Sequence, residues 1–340
     1  MNIESIKDLI TILENIGEPK PFHTRFFRGH SNKLYELKPT IYRNEKFIEN
    51  EDNIIKDAII SNPDEYYHYS EGLFGILSKL QHYGYPTRLL DFTTNALVAL
   101  YFAVASSKEN DGELLILDIP NENIKYYDSD IVSILSAISL RNSGFDLDQI
   151  VTTDKFNDIK VELAIKSCEE AEKVKKYRNK ILKIDGSLDL KGYISRYVAN
   201  NSEYDSKDMF NNYKEMLKLI HDIRREKPAF RADINYKDME KVICVKPTLN
   251  NQRIVRQQGV FLLFGIKGSK KVMSDIPDTW KSLGKESDSK KFYIPKDNKI
   301  KILKELNTFG INKKFLFPEI EKQAEEIKLF YGGMDYANKN

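Results

Sequence analysis

Apolar positions spaced by three and four open the chain. Ile3, Ile6, Leu9, Ile10, Leu13 and Ile16 share one side of a predicted helix that Gly17 and Pro19 stop. The same period predicts a helix over 45–62, with Phe47, Ile54, Ile55, Ala58 and Ile59 inward, and others over about 70–81, 126–140 and 297–308. A last amphipathic helix follows FLFPEI. Short apolar runs bounded by turn residues predict strands at 113–119 (ELLILDI), 242–247 (VICVKP) and 260–266 (VFLLFGI), and FYIP at 292–295 reads as an edge strand ended by Pro295. Phe26 and Phe27, followed by Arg28 and Gly29, read as a short strand running into a turn. Residues 35–42, interrupted by Pro39, read as a connection, and 267–291 as polar and turn-rich.

The period changes most sharply at 81–105, QHYGYPTRLLDFTTNALVALYFAVA. A cluster of polar side chains, Gln81, His82, Tyr83, Thr87, Arg88, Asp91, Thr93 and Thr94, gives way to an almost uncharged run from Ala96. Pro86 bars a helix from crossing this entry, and Thr93, Thr94 or Asn95 can cap the one that follows. The expectation is a polar loop pinned to the end of a buried helix, where binding and chemistry tend to sit.

Residues 145–240 differ in character. Lysine and glutamate dominate, and Val161, Ala164, Cys168, Ala171, Val174, Tyr177 and Ile181 recur at helical spacing, with a second helical pattern over 209–225. This predicts a helical insertion. The chain then divides into an N-terminal helix (1–20), a first core part (21–144), the insertion (145–240) and a second core part with C-terminal helices (241–340). The predicted fold class is α+β, a central, mostly antiparallel sheet flanked by helices. The insertion's Lys173, Lys175, Lys176, Arg178 and Lys180 could meet phosphates, but interspersed acids make them read as a solvated face.

Composition narrows the function classes. Lys and Arg number 53 against 51 Asp and Glu, so the chain as a whole is no nucleic-acid wrapper. Cys168 and Cys244 stand in no metal or disulfide spacing, no apolar run is long enough to span a membrane, and no leader-type pattern opens the sequence. The expectation is a cytoplasmic protein with no metal and no membrane partner. The motifs of zinc hydrolases, P-loop enzymes, serine hydrolases and Rossmann proteins are absent from the sequence.

Three segments carry the candidate chemistry: FFRGH (26–30), the 81–103 stretch and QRIVRQQGVFLLFG (252–265). Each sets charged or amide side chains beside a glycine and an apolar run. Arginine offers a planar fork to phosphate or carboxylate. With the ending LNTFGINKKFLFPEI, these segments resemble the FRG domain, whose signature stands here as Phe27-Arg28-Gly29; Phe92 stands where that family more often has tryptophan. The family's occurrence in bacteria and their mobile elements implies a toxin or phage-defence setting.

A second resemblance is to ADP-ribosyltransferases, which use an aromatic-Arg-Gly strand, a Ser/Thr-rich strand leading into a helix, and a late strand bearing a catalytic glutamate. Glutamine stands in that last place, at Gln257 and Gln258, so Asp91 is the nearest acid. The resemblance implies NAD as co-substrate, with Arg28, His82, Tyr83 and Gln258 as catalytic candidates. Gly29, Gln81, Arg88, Asp91, Thr93, Thr94, Arg253 and Gln257 are its candidates for holding the nucleotide. A protein or nucleic acid would be the acceptor. The alternative is a non-catalytic module that senses a nucleotide or a nucleic-acid end in the same pocket.

Each residue also has a plainer reading. Arg28 could pair with Asp91 as a core anchor, Arg88 could pair with Asp91 to hold the loop, Thr93 and Thr94 could cap the helix, and Gln257 and Gln258 could close a turn.

Overall fold

The predicted strands come together in one sheet. The computed structural model describes residues 1–63, 72–151, 210–281 and 291–331. Its strands are β1 (His23–His30), β2 (Leu89–Thr93), β3 (Gly112–Pro120), β4 (Ile124–Tyr126), β5 (Val242–Lys246), β6 (Gly259–Phe264), β7 (Ile266–Lys267), β8 (Ser269–Met273) and β9 (Phe292–Ile294). Seven of them form a sheet in the order β4-β5-β6-β2-β1-β3-β9, and β7 and β8 form a separate two-stranded ribbon. Within the large sheet only β4 beside β5 is parallel; the other neighbours are antiparallel. The fold is α+β with a mostly antiparallel sheet.

Alternation along the strands sorts their side chains onto two faces. Phe26, Leu90, Phe92, Leu117, Cys244 and Leu262 share one face with Trp280 and Ile276. The other face carries two helical layers side by side. Helices α1 (Ile6–Ile16), α4 (Ala96–Val104) and α8 (Lys299–Thr308) cover Phe27, Leu114, Ile116 and Phe292. Helices α3 (Gly72–His82), α5 (Asp130–Ala137) and α6 (Lys214–Glu226) cover Leu89, Phe261, Leu263 and Ile243. The layers meet over the boundary between β1 and β2.

That boundary is only loosely stitched. β1 pairs with β3 along its whole length, from His23 opposite Pro120 to His30 opposite Glu113. With β2 it pairs only at Phe27 opposite Thr93. Beyond Phe27 the edge of β1 facing β2 carries no strand ladder, and a seam opens at mid-sheet.

Helix α4 is held hard against β1. Asn95 caps it, its side-chain oxygen accepting from the Leu97 and Val98 amides. A Cβ on Gly29 would lie 1.9 Å from the Ala99 carbonyl oxygen, so only glycine lets helix and strand touch. The glycine of the Phe-Arg-Gly triplet is therefore required by helix packing.

Several expectations need correction. The segment 81–95 is not all loop, because β2 runs through it. The 45–62 region is two helices, Glu45–Glu49 and α2 (Glu51–Ser61), and Phe47 is 38% exposed rather than inward. Residues 252–257 form a short helix, α7 (Gln252–Gln257), and the polar stretch after 266 contains the β7–β8 ribbon. The helical repeat over 161–181 lies outside the described residues. The described ends of 145–240 send Phe145, Phe210, Leu219 and Ile223 into the same core as Leu89 and Phe261. Among the described residues no helix is long and apolar enough to cross a membrane.

Arg88 forms the centre of a buried ionic network. It does not pair with Asp91. Its Nε donates to Glu51 Oε1 at 2.8 Å, Nη2 donates to Glu51 Oε2, and Nη1 donates to the Phe264 carbonyl at 3.1 Å. Lys270 Nζ lies 3.2 Å from the same carboxylate and donates to the Ser139 and Arg141 carbonyls. All three side chains are 0% exposed. Burial pushes the Glu51 carboxyl up, but Arg88 and then Lys270 outweigh it, and the group is held below its ordinary value. Removing one partner strands a buried charge. Arg88→Met should therefore cost about 3–5 kcal/mol, read as a fall in the urea midpoint of unfolding.

Candidate functional site

The seam between β1 and β2 is the floor of a cleft of about 350 Å³, within the range of small-molecule sites. β1 contributes Phe27, Arg28 and His30; α3 contributes Gln81 and His82; β2 contributes Asp91 and Thr93. Phe102 on α4 and Arg253 and Gln257 on α7 form further walls, and Tyr35 and Arg43 stand in the loop segment after β1.

Arg28 bridges the seam. Its Nη1 donates to the Asp91 backbone carbonyl at 2.5 Å, and its Nε donates to His30 Nε2 at 3.0 Å. A guanidinium has five N–H donors, so three remain open. Among the described residues no carboxylate lies within ion-pairing distance of Arg28. Burial lowers its pKa to about 10, opposed by attraction to Asp91 and aided by Arg43. It is a half-buried cation held in place by neutral acceptors.

His30 is 3% exposed. Burial first, then the charges of Arg28 and Arg43, push its pKa down to about 3, so the ring is neutral and accepts from Arg28 through Nε2. Its Nδ1 lies 3.9 Å from Glu113 Oε2, whose own pKa is raised by burial.

On the facing wall a relay fixes Asp91. Thr87 Oγ1 donates to Gln81 Oε1 at 2.7 Å, and Gln81 Nε2 donates to Asp91 Oδ2 at 2.8 Å. His82 closes α3, with its Nε2 3.8 Å from Glu319 Oε1. Burial lowers the His82 pKa, and Arg253 adds to the shift while Glu319 opposes it. Arg253 stacks on the Phe317 ring at 4.7 Å and approaches the same Glu319 oxygen at 3.9 Å. Among the described residues the buried Glu319 Oε2 has no hydrogen-bond partner.

The structure brings eight of the twelve sequence candidates to this cleft: Arg28, Gly29, Gln81, His82, Asp91, Thr93, Arg253 and Gln257. Four stand elsewhere. Arg88 is spent on Glu51 in the core. Tyr83 is 57% exposed and packs edge-on against His82. Thr94 and Gln258 lie in the turn behind the wall, where the Thr94 amide donates to the Gln258 carbonyl at 3.2 Å. Gln258 takes a left-handed φ of 47°, which ends α7, and its side-chain oxygen accepts from the Thr94 hydroxyl at 3.3 Å.

Two residues at the cleft have a local task. Thr93 is no helix cap; its hydroxyl donates to the Gln257 carbonyl at 2.7 Å and ties β2 to α7. Gln257 Nε2 donates to the Leu316 carbonyl at 3.1 Å. Sequence reasoning missed His30, Tyr35, Arg43, Phe102 and Glu319. The available signals were the His after Arg28-Gly29 and the acid in FLFPEI.

Among the described residues no three His, Cys, Asp or Glu side chains gather as a metal site. The chain carries an FRG domain: residues 23–112 match that family's model. The match runs from β1 to the first residue of β3 and includes Arg28, His82 and Asp91, while Arg253, Gln257 and Glu319 lie beyond it. No curated protein and no solved structure matches the chain.

The burial of His30, reinforced by the Arg28 charge, sets a pH dependence. The unfolded chain takes up a proton near 6.5 that folded His30 refuses until about 3. Its contribution to stability is therefore complete above 6.5 and is lost progressively as pH falls below that value. Arg28→Gln should raise the His30 pKa while leaving it under 6.5, because burial remains, and NMR titration of the ring reads the change.

Proposed function

We propose that the cleft binds a nucleotide and that the FRG domain, completed by the C-terminal segments, cleaves NAD. In this reading the bond between nicotinamide nitrogen and ribose C1′ breaks, nicotinamide leaves with the bonding pair, and an oxygen of water or of a macromolecular acceptor takes its place. The supporting observation is Arg28, a half-buried cation with three open donors and no counter-carboxylate among the described residues. Partly desolvating a charge without a counter-ion is unfavourable, and an anionic ligand would offset that cost. Phe27, Tyr35 and Phe102 supply the apolar and aromatic surface that a base or nicotinamide ring needs.

The reaction places positive charge on the ribose as nicotinamide departs, so a carboxylate nearby lowers the barrier. Gln257 and Gln258 carry no such charge. Asp91, the nearest acid in sequence, has its carboxylate engaged by Gln81. Glu319 is the better candidate, because one oxygen sits near His82 and Arg253 and the other has no partner among the described residues. The family's occurrence in bacteria and mobile elements makes NAD depletion or target modification, as in a toxin or phage-defence system, the setting for this reading.

Purified full-length protein incubated with NAD, with and without cellular protein and nucleic acid, should release nicotinamide. Arg28→Ala should abolish the release. Glu319→Gln should lower it by about a hundred- to a thousandfold while keeping NAD-dependent thermal stabilisation. NAD-dependent stabilisation of the wild type without any release would make the site a nucleotide sensor. With neither effect the reading falls.

A further inference from the structure

Arg43 is the cation at the cleft that no motif singles out. It ends the turn Thr40–Arg43, whose Ile41 and Tyr42 are buried. The Ile41 amide donates to the Thr87 carbonyl at 3.2 Å, and the Tyr42 hydroxyl lies 3.5 Å from the Lys270 carbonyl, beside the Glu51–Arg88–Lys270 network. The turn is thus anchored on the core while Arg43 itself is exposed and lines the cleft. Its Nε donates to the Lys38 carbonyl at 3.0 Å, which fixes the base of the guanidinium and leaves the terminal nitrogens available.

Two guanidinium groups therefore face one cavity. Arg43 acts electrostatically on both Arg28 and His30. Among the described residues neither arginine forms an ion pair. The Asp91 carboxylate attracts Arg28 through space but is held by the Gln81 amide. One arginine lies in the seam and the other stands exposed at the edge of the cleft. Like charges so placed repel each other, and an anion with two linked bidentate faces would satisfy both at once. A carboxylate has one such face to offer, and the edges of a single phosphate all meet at one phosphorus, whereas a diphosphate sets them on two centres.

We propose that Arg28 and Arg43 form a diphosphate subsite, each guanidinium holding one phosphate group of the ligand. The inference rests on the nucleotide reading for the rest of the ligand, but inorganic pyrophosphate alone can probe it. Neutral His30 serves as a positioning residue, accepting from Arg28 so that its open edge stays turned to the ligand.

Calorimetric titration of the full chain with inorganic pyrophosphate, inorganic phosphate and ADP-ribose tests the proposal, using wild type, Arg28→Ala, Arg43→Ala and Arg43→Lys. Wild type should bind pyrophosphate about ten- to a hundredfold more tightly than phosphate, the range expected for one added set of charge-assisted hydrogen bonds. Arg43→Ala should remove that preference, and Arg43→Lys should restore part of it, since the charge returns without the fork. Arg43 is exposed, so its variants should unfold at the wild-type midpoint. Equal affinity for the two anions, no binding of pyrophosphate, or a preference unchanged in Arg43→Ala would overturn the subsite. Pyrophosphate preference without nicotinamide release would leave the subsite standing and remove the enzyme reading. Release and ADP-ribose binding indifferent to Arg43 would remove only the subsite.

Discussion

The ion network of Glu51, Arg88 and Lys270 is the constraint on which the remaining architecture depends. Three charged groups share a site with no solvent, and each needs the other two to be tolerated there. They come from three distant parts of the chain: a helix after the first strand, the entry to β2, and the β7–β8 ribbon. Their hydrogen bonds also occupy the Phe264, Ser139 and Arg141 carbonyls. The network thus clamps the end of β6, the chain after α5 and the start of β2 together. Arg88 belongs to the most distinctive motif of the sequence, yet it serves the fold and never reaches the cleft.

The cleft follows from a conflict at mid-sheet. Gly29 allows α4 to lie on β1, and α3 packs over β2 and β6. β1 is fully paired to β3, and its ladder to β2 stops after one residue pair. The unpaired Asp91 carbonyl finds its donor in the Arg28 side chain instead of a backbone amide. The strand acceptor that β1 leaves without a backbone donor is satisfied, and a half-buried cation is fixed by the same bond. Structure and chemistry share one hydrogen bond here.

What could be read from the sequence tracks how local its cause is. Helices α1 and α4 and strands β3 and β6 were legible because their burial follows a regular period or an unbroken apolar run. β2 was hidden because Asp91 and Thr93 point into the cleft, which breaks the apolar pattern. Helix α7 buries no residue of its own, so it leaves no period to detect. Within the site, neighbours in sequence part company: His82 turns into the cleft while Tyr83 turns out, and Gln257 faces in while the left-handed Gln258 bonds to Thr94 instead. Arg43 and Glu319 were invisible to spacing arguments, because docking of distant segments places them.

The walls of the cleft are made far apart in time as well as in sequence. About 210 residues separate Arg43 from Arg253. At a synthesis rate of roughly 5–20 residues per second, the strand carrying Arg28 leaves the ribosome on the order of ten to forty seconds before its opposite wall exists. Until then the chain lacks Arg253 and Gln257, and the cleft has no α7 wall. The assembled chamber is a property of the finished polypeptide, and whatever the cleft does begins only after synthesis has passed its last wall.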